Sequence, residues 1–87
     1  MKSLEELRKQ LDALDEELLH ILAKRVELSR KVGKLKKEYG FPLRDEKRME
    51  ALIAAKVAKA ELLHMPKEFI KELYTLIHDH SVELQKK

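Results

Sequence analysis

Apolar residues recur along the first part of the chain at alternating intervals of three and four. The series runs Leu4, Leu7, Leu11, Leu14, Leu18, Ile21, Leu28, Val32, Leu35 and Tyr39, with Arg25 standing where one apolar member belongs. Such spacing is the seam of a heptad-type amphipathic helix, and it predicts one long helix from about Ser3 to Tyr39. Two Gly and two Pro punctuate the chain. Gly40-Phe41-Pro42-Leu43-Arg44 reads as a loop, and Asp45 suits the N-cap of a second helix running to about Leu63. Met65-Pro66 breaks that helix, and Pro66 suits the first turn of a third that reaches about Gln85. With no strand pattern, repeat or low-complexity segment, the fold class is all-α: one long helix and two shorter ones.

At 1.5 Å per residue the first helix is roughly 55 Å long, whereas a compact domain of this size is about 30 Å across. The later helices, each near half its length, leave part of the seam uncovered. A dimer is therefore predicted, with each long helix covered partly by the other subunit. Eighty-seven residues make one domain, 1–87, and so short a chain gains from association. It has no Cys, which excludes a disulfide scaffold, a thiolate nucleophile and Cys-based metal sites. The segment MKSLEELRKQLD carries charges every few residues, unlike a signal peptide or an anchor. Nowhere do enough apolar residues follow one another to span a bilayer, so a cytoplasmic protein without membrane association is expected.

Lys and Arg number 19 against 16 Asp and Glu, an excess of +3 spread along the chain. Nucleic-acid binding would call for a basic stripe interleaved with aromatics. Only two Phe and two Tyr exist, none beside a basic cluster of that type. Small anionic ligands suit the balance better.

The polar residues on apolar faces carry the candidate chemistry. Arg25 occupies the seam, and its helical neighbours Ile21, Leu22, Leu28 and Ser29 cannot neutralise it. Its counter-charge must come from another helix or from a bound anion, since an unpaired buried guanidinium is costly. Lys36, eleven residues on, projects from nearly the same face and also lacks a local acid. Two such cations can converge on one anion. A register-fixing Arg25 paired across a dimer and a snorkelling surface Lys36 are the plainer alternatives. Arg8 has Glu5 and Asp12 at pairing distance, so periodicity does not single it out. In the third helix the apolar line Ile70, Leu73, Ile77 runs on into Ser81 and Gln85, two neutral hydrogen-bonding groups. His78 and His80 point about 200° apart and cannot share a metal, while His20 and His64 have no ligand-like neighbours. All four read as surface or packing residues, and no metal site is expected.

The segment LRKQLDALDEELLHILAKRVELSRKVGKLK, the loop ending in PLRD and the late SVELQ together resemble the helical chorismate mutases. The likeness covers nearly the whole chain and rests on the ordered set Arg8, Arg25, Lys36, Asp45, Arg48, Ser81 and Gln85. It implies an intertwined three-helix homodimer with two equivalent active sites, each completed by an arginine of the partner, here Arg8. By the same resemblance Arg25 and the partner copy's arginine at position 8 bind the two carboxylates of chorismate, and Ser81 and Arg48 assist. Lys36 and Gln85 match the pair that hydrogen-bonds the ether oxygen of the breaking bond, and Asp45 sits near the ring hydroxyl. Lys36, Gln85 and Arg25 are thus the implied catalytic residues. The activity is rearrangement of chorismate to prephenate, a step of aromatic amino-acid biosynthesis in the shikimate pathway, which requires neither metal nor cofactor.

One departure stands out. Met49 falls where many members carry a Glu that helps bind the ring hydroxyl, and Glu50 lies about 100° further round the helix. Isochorismate-pyruvate lyases, which share the fold and tend to be apolar at that position, are therefore an alternative. A core-facing Met49 beside Leu52 and Ile53 is the simpler account. A non-catalytic helical dimerisation or sensing module is the third reading; in it Arg25 should pair with an acid of the facing helix.

Overall fold

The computed structural model describes residues 3–86. The outermost residues of the expected domain, Met1, Lys2 and Lys87, lie outside them. Three helices make up the described chain: α1 (Leu4–Tyr39), α2 (Glu46–Leu62) and α3 (Lys67–Gln85).

The ends of the helices follow from local chemistry. Ser3 caps α1, its side chain accepting a hydrogen bond from the Glu6 N–H at 3.2 Å. Gly40 closes the helix in the left-handed conformation, φ 68°, which costs a glycine little. Its N–H and that of Phe41 both turn back to the Lys36 carbonyl, so the loop leaves α1 in a fixed direction. Asp45 caps α2 as expected, accepting from the Arg48 N–H at 3.1 Å. That helix ends at Leu62, one residue short of expectation, and His64 takes up a left-handed turn at φ 57°. Pro66 is the N-cap of α3 and stands one place before the first turn it was expected to occupy.

Contacts along the helices fix their directions. Ser29 of α1 meets Ser81 of α3, and Gly33 meets Gln85, an advance of four residues on both helices. Helices α1 and α3 therefore run parallel. Helix α2 packs on α3 and not on α1. A cleft consequently opens between α1 and α2, roofed by the loop that joins them and floored by α3.

The core is thin. Ala60, Ile70, Val82 and Leu84 are its buried apolar side chains among the described residues, with the carboxamide of Gln85 and the backbone of Gly33 beside them. Helix α1, with 36 residues against 19 in α3, projects well past its neighbour. On that projecting half Leu4, Leu7, Leu11, Leu14 and Leu18 remain between 45% and 63% exposed. The molecule is 57 Å long, close to the expected length of the first helix. Its accessible surface is 7528 Å², whereas a monomeric protein of 10.3 kDa normally shows roughly 5,400 Å². No helix among the described residues is long and apolar enough to cross a membrane.

Candidate active site

The cleft holds a cavity of about 440 Å³, within the usual range for a small-molecule site. Two helical stripes of the same spacing face into it. On α1 the stripe is Arg25, Ser29, Val32, Lys36; on α3 it is Tyr74, His78, Ser81, Gln85. Each advances by four, three and four residues, which keeps its members on one face of the helix. Because the two helices are parallel, the stripes meet along their length: Ser29 Oγ donates to Ser81 Oγ at 3.1 Å, and Lys36 lies against Gln85.

Lys36 and Gln85 form the polar end of the cavity. The ammonium donates to Gln85 Oε1 and to the Leu43 carbonyl, both at 2.8 Å. Gln85 is buried to 8% exposure, so this contact is shielded from solvent on the glutamine side. With Oε1 occupied, the carboxamide N–H groups remain to donate. The Leu43 contact ties the loop to α1 and places Phe41, Pro42 and Leu43 over the cavity. Helix α2 then contributes Arg48 and Leu52 to the opposite wall.

Arg25 and Arg48 both line the cavity, and neither guanidinium has a hydrogen bond or ion pair among the described residues. Arg25 is half-buried, Arg48 exposed. Together with Lys36 they place cations on both facing walls, while Leu28, Val32, Leu52, Ile77 and Val82 supply an apolar lining. Such an arrangement accepts a small anion with an apolar body. Asp45 also borders the cavity, with one carboxylate oxygen engaged in capping α2.

Six of the residues singled out in the sequence therefore gather in one place: Arg25, Lys36, Asp45, Arg48, Ser81 and Gln85. Arg8 does not join them within the chain. It is exposed on the projecting half of α1, and seventeen residues separate it from Arg25, about 25 Å along the axis. Met49 is half-buried and lies outside the lining; its sulfur accepts from Arg44 Nη1 at 3.7 Å.

Three contributors escaped the sequence reading. Ser29 figured only as a neighbour unable to neutralise Arg25, and His78 as a surface or packing residue. Both keep the stripe spacing, which was the signal available. Arg44 is the third: it bridges Asp79 on α3 at 3.1 Å and Glu46 on α2 at 3.4 Å. The hydrogen bond to Asp79, with a smaller one to Glu46, raises its pKa above the ordinary arginine value. No cluster of three or more His, Cys, Asp or Glu suited to a metal occurs among the described residues.

Comparison with known proteins points the same way. The chain is 39% identical over 67 residues to the T-protein of Enterobacter agglomerans, covering 77% of this chain and 18% of that protein. It is 38% identical over 79 residues to the bifunctional chorismate mutase/prephenate dehydratase of Escherichia coli K12, covering 91% and 20%. Against the chorismate mutase of Methanocaldococcus jannaschii it is 30% identical over 87 residues, 99% of this chain and 87% of the other. The chain thus spans about a fifth of the length of the first curated relatives it matches. Residues 7–86, which carry all but the first three residues of α1, the whole of α2 and α3 and the whole cavity, match the chorismate mutase type II family, and the chain belongs to that family.

Proposed function

We propose that this chain, residues 1–87 as one domain, is a chorismate mutase, an isomerase that converts chorismate to prephenate. The observation that carries the reading is the 2.8 Å contact of Lys36 with Gln85 on the wall of a cavity whose guanidiniums, Arg25 and Arg48, have no acid partner. The reaction is unimolecular: a C–O bond breaks and a C–C bond forms within one molecule. It needs restraint of the substrate in a compact reactive geometry, which arginine clamps on two carboxylates supply. It also needs donors at the ether oxygen, where negative charge develops, and the ammonium of Lys36 with the carboxamide of Gln85 serves there. Arg48 and Ser81 complete the polar wall, and Asp45 borders the ring.

The enzyme is an intertwined homodimer. The exposed leucine seam of α1 and the roughly 2,100 Å² of surface per chain in excess of a monomer's support this, since obligate homodimers bury about 2,000–5,000 Å² over the two partners. Arg8, out of reach of its own cavity, enters the partner's and binds the second carboxylate. Both substrate and product are dicarboxylates that do not cross membranes unaided, which supports a cytoplasmic location.

Incubation of the purified protein with chorismate tests the reading, following loss of its ultraviolet absorbance and identifying the product. Prephenate is expected. Salicylate and pyruvate from isochorismate in a parallel tube, with silence toward chorismate, would replace the mutase by a lyase. Silence in both would leave a non-catalytic module.

A further inference from the structure

His78 is the one buried side-chain polar group without a hydrogen-bond partner among the described residues: its Nε2 is sealed from solvent and meets no donor or acceptor. Its side chain forms part of the cavity wall. An imidazole so placed is a cost to the folded chain unless something supplies the missing partner. Seven residues separate His78 from Gln85, two turns of α3, so the two groups share a face about 10 Å apart along the axis. The floor of the cavity thus has polar functions at both ends, with the Ser29–Ser81 hydroxyl pair between them. At the Gln85 end the lysine donates to the carboxamide oxygen; at the His78 end the wall offers Tyr74, Leu52 and Ile77.

We infer that His78 is a substrate-binding residue that hydrogen-bonds the ring hydroxyl of the bound ligand, an inference that rests on the mutase reading. The assignment follows from what each group can do. Arg25, Arg48 and Lys36 only donate and carry full charge, so they take the carboxylates and the ether oxygen ahead of an imidazole. Asp45, which borders the ring, can only accept from its hydroxyl, so the lone pairs of that oxygen are the polar function of the substrate left over, and an imidazole N–H serves them. Turning Nε2 to the cavity requires rotation about χ2, a broad torsion in histidine, and the gained hydrogen bond drives it.

The test measures KM and kcat for chorismate and for its analogue with hydrogen in place of the ring hydroxyl. His78→Leu should raise KM for chorismate about tenfold while leaving the analogue's KM unchanged, because only the first loses a hydrogen bond. His78→Gln, which keeps a hydrogen-bonding side chain, should recover most of the loss. Removing an unpaired polar atom should not lower the melting temperature of His78→Leu, so the KM effect is separable from unfolding. An unchanged KM for chorismate in His78→Leu, or an equal rise with both compounds, overturns the inference while the mutase reading stands. Wild-type protein that makes no prephenate overturns the reading, and this inference with it.

Discussion

The backbones of Gly33 and Gln85 touch: a Cβ built on Gly33 would lie 2.7 Å from the Gln85 Cα and 2.8 Å from its carbonyl oxygen. Only a residue without a side chain lets α1 and α3 approach so closely at this point. The approach brings Lys36, three residues further along α1, within 2.8 Å of the Gln85 carboxamide. Gly33 is therefore a positioning residue for the Lys36–Gln85 contact. An alanine in a helix is ordinarily better than glycine by roughly 1 kcal/mol. Here the clash is with backbone and no rotamer relieves it, so overpacking, about 1–3 kcal/mol, wins. Gly33→Ala should destabilise the protein modestly and lower kcat about a hundredfold, the usual consequence of an ångström of misplacement. In a Gln85→Ala background the same substitution should add little to the loss of kcat. Equal losses in both backgrounds would mean that Gly33 acts on something other than Gln85.

Lys36→Ala should also cost turnover about a hundredfold or more, as removal of one charge-stabilising donor usually does. Lys36 has a second task in holding the Leu43 carbonyl at 2.8 Å, so its loss should free the loop as well. Gln85→Ala removes the donor and leaves the loop tie. Faster amide exchange in residues 41–45 should therefore accompany Lys36→Ala and not Gln85→Ala. Near-normal turnover in either variant would sink the mutase assignment.

Much of this candidate site is legible in the sequence alone, and the reason is physical. Arg25 and Lys36 betrayed themselves as cations on an apolar face with no acid at helical spacing, and Ser81 and Gln85 as polar groups extending an apolar line. These signals are local, carried by one helix each. What could not be read was the relation between helices. Whether Gly33 matters depends on how near α3 comes, and Arg44 finds Asp79 across 35 residues of chain. The Leu43 carbonyl, a principal partner of Lys36, is a backbone group with no signature in the sequence. Ser29 and His78 stood between these extremes: their spacing was readable, but only the parallel pairing of α1 with α3 gives it meaning.

The proposed donation of Arg8 across a homodimer predicts complementation between inactive proteins. Arg8→Ala and Arg25→Ala should each lose most activity as homodimers. In the mixed dimer, the subunit that keeps Arg25 faces a partner that keeps Arg8, and one site of the two is whole. Unfolding and refolding an equimolar mixture gives about half mixed dimers with one good site each, hence roughly a quarter of wild-type activity. If the mixture stays as inactive as its components, Arg8 does not act in the partner's site.

Arg44 holds the loop and the start of α2 against α3 through Asp79 and Glu46, and its place beside the cavity roof makes it a latch. Its pKa is raised above the ordinary value, chiefly by the hydrogen bond to Asp79. A raised pKa on a cation means stability fully present below the unfolded value and lost only as pH climbs through the folded one, in the strongly alkaline range. From the arginine side, then, the latch should hold unchanged between pH 5 and 9. The ion pair is exposed, so Asp79→Asn should have little effect on global stability. Its effect should be local, with faster amide exchange over residues 41–45 and none over the buried turn at Val82 to Gln85. Exchange that speeds up equally in both segments would show that Asp79 supports the fold as a whole rather than the roof of the cavity.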